Sequence, residues 1–363
     1  MSDQNKKYKI GLIGDSLSKG GAEKVHAIFS IYFEKQGFEV HNCILVDAVT
    51  YQYSGSLLNL GKIKPNCSSF IRKYNRFFAL RNFIISNDFD CVIDFRMRPS
   101  FVLEFIISRI IYPKNTVFYV LSGRLDFYFP KNVLLAKLIY SNKKIATVSK
   151  AIKEEIIKNS YSNNVKNLFQ PFDFEAIDVL KNEFLINEKY ILVVGNMDND
   201  IKQIDKLVVA YSKSELPKQN IKLIVLGEGK LKTEYQKLVK TLNLENLVLF
   251  KGTVFNPFPF YKNALFLVLS SKNEGLSNAI IESLACETPV IAFDCFSGPK
   301  EIIHSQNNGV LVENQNFDKL IEAMNLMLFD VNLYQQSKRN ALKSVEKFSV
   351  NILGKQWEEY MNS

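Results

Sequence analysis

The sequence predicts an α/β protein with two domains. Its 363 residues exceed the usual length of one domain. The chain opens with an apolar run at residues 9–13, a glycine-containing turn, a helix at about 22–36 and a second apolar run at 40–46. The same order of strand, loop, helix and strand returns at residues 264–293. Strands that alternate with helices in this way are typical of βαβ units.

Composition and charge indicate two folded halves that differ in net charge. Hydrophobic residues make up 47% of the chain and charged residues 23%, which is ordinary for globular domains. Residues 1–172 hold 25 Lys and Arg against 13 Asp and Glu, whereas residues 173–363 hold 21 against 24. We therefore expect the first half to meet something anionic, such as a membrane surface, a lipid phosphate or nucleic acid. No nucleic-acid recognition module supports the last of these.

Several classes of protein are disfavoured by the sequence. The five cysteines and three histidines are scattered, which argues against a disulfide framework, a zinc site and a metal hydrolase. The polar N-terminus does not resemble a signal peptide. The longest candidate membrane segment, residues 101–112, is interrupted by Glu104 and Arg109 and is too short to span a bilayer. We expect a cytoplasmic protein.

The most informative stretch is residues 270–291. It follows an apolar run at 264–269, begins with a polar loop that contains Glu274 and Gly275, and ends where Pro289 stops a helix. The apolar face of that helix is formed by Ile280, Ile281, Leu284 and Ala285. A loop between a strand and a helix is where α/β proteins place ligands.

The spacing of two acids in this stretch suggests the ligand. The free N–H groups of a helix start favour an anion. Glu274 precedes the helix, and Glu282 lies eight residues later, about two turns along it. Two acids so placed would hold two hydroxyl-bearing parts of a ligand with a phosphate between them, as in a sugar nucleotide. The alternative is that Glu274 stabilises the helix start and Glu282 is a solvated surface acid.

The motif Asn-Glu-Gly-x-x-Asn-Ala-x-x-Glu-Ser-Leu-Ala at residues 273–285 resembles the Glu-x7-Glu signature of retaining glycosyltransferases of family 4. Further segments resemble this family in the expected order: Gly20-Gly21-Ala22-Glu23, the link at 169–173, Gly195 to Lys202, Gly227-Glu228-Gly229, and Ser297 to Ile303. The resemblance implies the GT-B fold, in which two Rossmann-like domains face each other across a cleft that holds the active site. The implied domains are an acceptor-side domain at 1–172, a nucleotide-sugar domain at 173–345, and a last helix at 346–363 that crosses back.

The resemblance also assigns the donor site. Glu274 would orient the sugar, Lys202 would stabilise the leaving diphosphate and Glu282 would hold the ribose. Asn196 stands where the family usually has an arginine, so half of the usual positive charge is missing. The remaining donor contacts implied by the family are Gly20, Gly21, Glu228, Phe255, Gly275, Leu276, Ser277 and Asn278.

Acceptor-side contacts are expected in the first half. Arg96 and Arg98 follow a predicted strand and would either clamp an acceptor phosphate or be ordinary surface charges. Where the family often has a histidine near the sugar, this chain has Ser122, Arg124 or Asp126 as possible substitutes.

A predicted helix at 70–85 mixes apolar residues with four cations. It is either an interfacial helix on anionic lipid or an amphipathic helix with a solvated basic face. The cations are Arg72, Lys73, Arg76 and Arg81.

The implied reaction moves a hexose or N-acetylhexosamine from a nucleotide-diphosphate sugar, most simply a UDP-sugar, to a glycan or lipid-linked glycan, with retention of configuration. We expect no metal and no other cofactor, because Lys202 and the helix N–H groups would meet the charge of the diphosphate. We expect peripheral contact with an anionic membrane and no nucleic-acid partner. Two alternatives stay open: a catalytically impaired sugar-nucleotide-binding subunit, suggested by Asn196 and the missing histidine, and a sugar-nucleotide epimerase.

Overall fold

A computed structural model describes residues 7–18, 20–63, 68–98 and 100–363. The chain forms two units. The first comprises the residues up to Phe172 together with Phe348–Ser363, and the second comprises Asp173–Lys347. The sequence predicts boundaries after residues 172 and 345, and the second of these lies after Lys347 in the structure.

The first unit contains a seven-stranded sheet in the order β3-β2-β1-β4-β5-β6-β7, and every strand pairing described in it is parallel. Its strands are β1 (Lys9–Gly14), β2 (Glu39–Ile44), β3 (Ser56–Asn59), β4 (Cys91–Asp94), β5 (Thr116–Val120), β6 (Lys144–Thr147) and β7 (Val165–Asn167).

The second unit contains a six-stranded sheet in the order β10-β9-β8-β11-β12-β13, again with parallel pairing throughout its described strands. Its strands are β8 (Tyr190–Val194), β9 (Lys222–Leu226), β10 (Val248–Gly252), β11 (Leu267–Leu269), β12 (Val290–Phe293) and β13 (Gly309–Val312).

Helices connect the strands in both units. In chain order they are α1 (Gly21–Lys35), α2 (Ser69–Asn87), α3 (Phe101–Ile106), α4 (Val133–Tyr140), α5 (Lys150–Lys158), α6 (Phe174–Leu180), α7 (Ile204–Lys213), α8 (Lys232–Thr241), α9 (Phe258–Asn263), α10 (Asn278–Ala285), α11 (Pro299–Ile302), α12 (Phe317–Phe329), α13 (Val331–Val345) and α14 (Val350–Asn362). Helix α3 continues into a π-helical turn at Ile107–Ile111. Within the described ranges, no helix has the length and apolar character needed to cross a membrane.

The two sheets share one topology, which confirms the predicted pair of Rossmann-like domains. In each, the first strand lies between the second and the fourth, so the strand order reverses between β1 and β4 and between β8 and β11. In such sheets the loops at the carboxyl ends of these two strands splay apart and leave a crevice for a ligand. The fold therefore fixes where each unit can hold a ligand.

The last helix belongs to the first unit. The Trp357 ring of α14 is fully buried and packs edge-on against Phe29 of α1 and Tyr119 of β5, with ring centroids 5.0 and 4.7 Å apart. Tyr32 donates a hydrogen bond to Glu358 at 2.6 Å. Gly354 allows this approach, because a Cβ there would lie 2.1 Å from the Tyr32 ring.

Candidate active site

The crevice of the second unit is bordered by the loops that follow β8 and β11. The Ser270 hydroxyl donates to the carbonyl oxygen of Lys202 at 2.8 Å, and the Lys272 N–H donates to that of Ile201 at the same distance. Lys272 also forms an ion pair with Asp200. These bonds join the two loops, so the side chains that they carry are held close together.

Lys202 and Glu274 form an ion pair between these loops. Lys202 Nζ donates to Glu274 Oε1 at 2.6 Å, and 24% of the lysine side chain and 9% of the glutamate side chain are exposed. Gly195, just after β8, makes room for the lysine, because a Cβ there would lie 2.8 Å from Lys202 Cγ. The structure thus brings together the two residues that the resemblance assigns to catalysis.

A third loop, Gly227-Glu228-Gly229 after β9, packs against the loop after β8. Both glycines have positive φ, and a Cβ on Gly227 would lie 2.0 Å from the carbonyl oxygen of Gly195. The glycines are therefore required for close packing of two backbone segments. Glu228 itself is exposed and pairs with Lys232 at 2.6 Å, so it lies at the rim of the site.

The N-terminus of α10 carries a buried hydroxyl without a partner. Ser277 is the N-cap residue and is 5% exposed, yet its Oγ makes no hydrogen bond within the described part of the chain. The loop before it is held by Ser297, whose hydroxyl donates to the Gly275 carbonyl oxygen at 2.7 Å. An unpaired buried hydroxyl costs folding free energy unless a ligand satisfies it.

Glu282 is a buried acid, which contradicts the alternative that it is a solvated surface residue. It is 7% exposed, and Tyr261 of α9 donates to its Oε2 at 3.1 Å. Burial and the neighbouring Glu282 carboxylate hold the pKa of Tyr261 well above its usual value, so the phenol remains a donor. The tyrosine therefore orients the carboxylate.

Two further donor-site candidates lie at the surface. Phe255 is 95% exposed, so its ring is accessible to a ligand. Asn196 accepts a hydrogen bond from the Asp198 N–H at 2.5 Å, which shapes the loop after β8. The amide that replaces the usual arginine thus serves the loop conformation and supplies no charge.

The tripeptide Asp198-Asn199-Asp200 has an Asp-x-Asp spacing, although the expectation of a reaction without metal assumed that no such motif stands out. Asp198 accepts from the Lys230 N–H at 3.2 Å, and Asp200 pairs with Lys272. Across residues 7–18, 20–63, 68–98 and 100–363, no group of three or more His, Cys, Asp or Glu side chains is arranged to hold a metal ion. Both aspartates instead stabilise the loop.

In the first unit, the Gly20-Gly21 turn lies beside a small acidic pocket. Asp15 and Glu23 line this pocket with His26, and burial raises the pKa of both carboxyl groups. The Glu23 carboxylate covers Gly20, where a Cβ would lie 2.0 Å from Glu23 Oε2. The sequence predicts no role for these three side chains, although Glu23 belongs to the Gly20-Gly21-Ala22-Glu23 segment. Their position after the first strand of the sheet is the signal that was available.

The buried His26 is a neutral acceptor in this pocket. Burial lowers its pKa to about 4. Asn42 Nδ2 donates to two backbone carbonyl oxygens, so Asn42 Oδ1 is left to accept from His26 Nε2, at 3.1 Å. His26 Nδ1 is consequently unprotonated, and it has no partner within the described residues.

The structure contradicts both predictions for Arg96, a phosphate clamp and an ordinary surface charge. Arg96 is neither an exposed surface charge nor free to clamp an acceptor phosphate, because the residue is 3% exposed and its guanidinium is already bound. It donates to both carboxylate oxygens of Asp94, at 3.0 and 2.8 Å, and to both of Glu104, at 3.3 and 3.1 Å. Arg96 is a structural residue that neutralises two buried acids.

Arg98 is buried as well, among aromatic rings. Its guanidinium lies 5.2 Å from the ring centroid of Phe118 and 5.1 Å from that of Tyr128, and Nη1 donates to the Arg96 carbonyl oxygen at 3.1 Å. The prediction of a surface clamp is therefore wrong for this residue too. Stacking on aromatic faces compensates part of its desolvation.

The Ser122 to Asp126 turn is exposed and paired within itself. Arg124 donates from Nε and Nη2 to Asp126, at 3.2 and 2.7 Å, while the Ser122 hydroxyl accepts from the Arg124 N–H at 3.2 Å. Ser122, Arg124 and Asp126, the predicted substitutes for the family's histidine, thus bind one another.

Helix α2 exposes both apolar and basic side chains. Phe70, Ile71 and Tyr74 are exposed, which an ordinary amphipathic helix would avoid. Among its cations, Arg76 is partly buried and donates to the Gly61 carbonyl oxygen at 3.1 Å, so it is not free for lipid.

Comparison with known proteins indicates the type of fold and enzyme. The family model described as "Glycosyl transferases group 1" matches residues 177–344. The N-acetylgalactosamine-N,N'-diacetylbacillosaminyl-diphospho-undecaprenol 4-alpha-N-acetylgalactosaminyltransferase of Campylobacter jejuni is 30% identical over 358 residues, covering 94% of this chain and 95% of that protein.

One further relative and one solved structure extend the comparison. The poly(ribitol-phosphate) alpha-N-acetylglucosaminyltransferase of Staphylococcus aureus is 28% identical over 207 residues, covering 55% of this chain and 40% of that protein. The crystal structure of Anabaena HepE in complex with UDP has a TM-score of 0.75 at 17% identity and covers 98% of this chain and 99% of that chain. The last similarity concerns the fold.

Proposed function

Since the chain belongs to the group 1 glycosyl transferases, we propose that it transfers a hexose or N-acetylhexosamine from a UDP-sugar to a lipid-linked glycan, with retention of configuration. The observation that carries this proposal is the Lys202–Glu274 pair of 2.6 Å beside the N-terminus of α10, where the strand order reverses. A cation, an acid and the N-terminus of a helix are the set that a sugar diphosphate requires.

Each group has one task in the proposed reaction. Negative charge develops on the leaving diphosphate, and Lys202 with the N–H groups of Leu276, Ser277 and Asn278 stabilises that charge. Glu274 holds the sugar hydroxyls, and Glu282, oriented by Tyr261, holds the ribose. Binding of a donor transfers the Lys202 ammonium from Glu274 to the phosphates, which frees the carboxylate for the sugar.

The stereochemical proposal follows the resemblance. As the resemblance implies, the acceptor hydroxyl attacks on the face that the diphosphate leaves, and none of the residues assigned to the donor acts as a nucleophile. The leaving phosphate takes the proton of that hydroxyl. A metal-independent reaction is part of the proposal, and it is supported by the commitment of Asp198 and Asp200 to the loop.

The acceptor proposal rests on the Campylobacter relative, whose name gives a diphospho-undecaprenol-linked acceptor. We propose a cytoplasmic enzyme that works at the inner face of the membrane. The exposed apolar and basic residues of α2 support peripheral contact there.

Donor binding gives the first test. UDP and UDP-sugars are expected to raise the melting temperature of the protein and to do so without added divalent metal, whereas GDP-, dTDP- and ADP-sugars serve as controls for the base. Transfer to an undecaprenyl-diphosphate-linked acceptor, followed by NMR of the product, then reports the anomeric configuration. An inverted product would contradict retention. Sugar binding without transfer would favour an impaired binding subunit, and conversion of a UDP-sugar alone would favour an epimerase.

The orphan hydroxyl of Ser277 gives a second prediction. Ser277→Ala is expected to weaken UDP binding about tenfold, because one charge-assisted hydrogen bond to phosphate is lost. It should leave the melting temperature of the free protein unchanged or slightly higher, since the hydroxyl has no partner there. Calorimetric titration with UDP measures the change.

Ser337→Ala is the matched control for this experiment. Ser337 lies in α13, is fully buried and also has an unpartnered Oγ within the described residues. Its variant should bind UDP as the wild type does. Equal UDP affinities for Ser277→Ala and the wild type would show that the hydroxyl does not contact the donor.

A further inference from the structure

The acidic pocket of the first unit takes no part in the donor site proposed above. Its volume is about 10 Å³, which is room for one water-sized group. The floor of the pocket is buried and its rim is partly exposed, so the pocket faces solvent at one end. The floor consists of Gly14, His26 and Phe95, and the rim consists of Asp15, Ser16, Ala22 and Glu23.

The floor presents an acceptor that lacks a donor. His26 Nδ1 is unprotonated, because Nε2 donates to Asn42, and it has no partner within the described residues. The imidazole is fully buried and stacks on Phe95 with ring centroids 5.0 Å apart, so its orientation is fixed. Gly14 leaves the space in front of this nitrogen open, because a Cβ there would lie 2.5 Å from Nδ1. A buried acceptor without a donor costs folding free energy unless a ligand satisfies it.

The rim adds two carboxylates that are not neutralised by a bound cation. Asp15 accepts from the Met97 N–H at 3.1 Å and Glu23 accepts from its own N–H, and neither forms an ion pair within the described part of the chain. Arg96 and Arg98 attract Asp15 through space, but both guanidinium groups are bound to other partners. Partly buried negative charge without a bound cation is unfavourable. The pocket therefore favours a positively charged group.

The number of acceptors and the size of the pocket narrow the choice of ligand. A primary ammonium has three donors and no acceptor, which matches two carboxylates and one imidazole nitrogen. A hydroxyl group fits by size, but it has one donor and no charge. A divalent metal is disfavoured, because the His, Cys, Asp and Glu side chains of the described residues are not arranged to hold one. Metal–oxygen bonds of about 2.0–2.6 Å require a tighter cluster than hydrogen bonds of about 2.9 Å.

We propose that Asp15, Glu23 and His26 Nδ1 bind the free amino group of a saccharide acceptor in its ammonium form. The pocket follows β1, where the strand order of the sheet reverses and where such sheets bind ligands. The two carboxylates supply the charge and the neutral imidazole supplies the third acceptor. An N-acetylated sugar does not match this set, because its amide is neutral and has a single N–H. The inference rests on the proposed function in one respect, since an enzyme that transfers a sugar to a glycan binds a saccharide acceptor.

NMR of the histidine nitrogens tests the proposal with the full chain. The chain has three histidines, so His41 and His304 serve as internal controls for His26. Glucosamine is the probe, and glucose and N-acetylglucosamine are its neutral counterparts. Glucosamine is expected to shift the ¹⁵N resonance of His26 Nδ1 at neutral pH, because this nitrogen then accepts an N–H. Its affinity should exceed that of glucose by about tenfold or more.

Two variants test the charge of the rim. Glu23→Gln and Asp15→Asn keep the size of each side chain and remove its charge, so each should weaken glucosamine binding about tenfold or more. Their melting temperatures should not fall, since each variant removes a carboxylate that has no bound cation. Glu34→Gln is the matched control, because Glu34 is an exposed acid of the same helix, and its variant should bind glucosamine as the wild type does.

Three outcomes overturn the proposal. Glucose shifts the His26 Nδ1 resonance as strongly as glucosamine does, or both rim variants bind glucosamine as the wild type does, or none of the saccharides moves the resonance. The last result would leave an ordered water as the occupant of the pocket.

Lys202→Ala separates this inference from the proposed function. Lys202 lies in the second unit, so its variant should bind glucosamine as the wild type does. Normal glucosamine binding by a protein that transfers no sugar would count against the proposed function alone. Sugar transfer by a protein whose His26 resonance does not respond to glucosamine would count against the ammonium site alone.

Discussion

Lys202→Ala is expected to lower kcat for sugar transfer by about 10²–10³-fold, the loss typical when one preorganised donor to a developing negative charge is removed. The size of the effect follows from the missing second cation. Asn196 supplies no charge and is committed to the loop through the Asp198 N–H. Lys202 is therefore the one cation that the proposed mechanism places on the diphosphate.

Lys202→Ala is also expected to change the stability of the unliganded protein. Lys202 neutralises Glu274, whose side chain is only 9% exposed, so the variant leaves a largely buried carboxylate without its partner. We expect a modest fall in melting temperature, and kcat must be measured well below it. Lys202→Arg keeps the charge and should retain more activity than Lys202→Ala, although its planar group does not reproduce the geometry of an ammonium.

Lys222→Ala is the matched control for Lys202→Ala. Lys222 pairs with Glu188 at the same distance of 2.6 Å, and its side chain is 25% exposed against 24% for Lys202. It lies at the first residue of β9, at the opposite end of the sheet from the site. Its variant should keep full activity. Comparable kcat values for the two variants would remove Lys202 from the mechanism.

The sequence is most informative where a local pattern determines the structure. The apolar run at residues 9–13 predicts strand β1, which spans Lys9–Gly14, because the run is short and is followed by a turn. Strands β3 and β7 were not predicted. The first shows no buried residue, and the second has only three residues, so neither carries a strong apolar pattern.

The sequence predicts some features of the candidate site and not others. Glu274, Lys202 and Glu282 were found from spacing and resemblance, since loops at the ends of parallel strands have predictable positions. The buried state of Glu282 depends on Tyr261, which lies 21 residues earlier on another helix. No local pattern around Glu282 contains that information.

The two arginines after β4 are a clearer case in which the local sequence does not predict burial. Arg96 and Arg98 stand at a strand end that often binds ligands, and their sequence neighbours do not reveal burial. Burial results from partners elsewhere in the chain, namely Glu104 of α3, Tyr112 and Tyr128. A charged residue is expected to be exposed when only the sequence is known. The tertiary structure supplies the acid and the aromatic rings that compensate the desolvation of these two guanidinium groups.

The free energy of unfolding distinguishes a structural role of Arg96 from a role as a clamp for an acceptor phosphate. Arg96→Ala is expected to destabilise the first unit by about 3–5 kcal/mol, because it leaves the buried carboxylates of Asp94 and Glu104 without their shared cation. Burial raises the pKa of the Asp94 carboxyl, and Arg96 and Arg98 reverse this shift, so the net pKa lies below its usual value. The carboxylate of Asp94 therefore depends on these two guanidinium groups.

Chemical denaturation followed by the fluorescence of Trp357, the single tryptophan of the chain and a buried residue of the first unit, measures this change. Arg124→Ala is the control, because Arg124 also pairs with an aspartate after a strand of the same sheet but does so in solvent. Its variant should unfold as the wild type does, since exposed ion pairs contribute little. If Arg96→Ala kept wild-type stability and lost only affinity for a phosphate-bearing acceptor, Arg96 would be the ligand clamp that its position after a strand suggests. Its four hydrogen bonds to Asp94 and Glu104 favour the loss of stability.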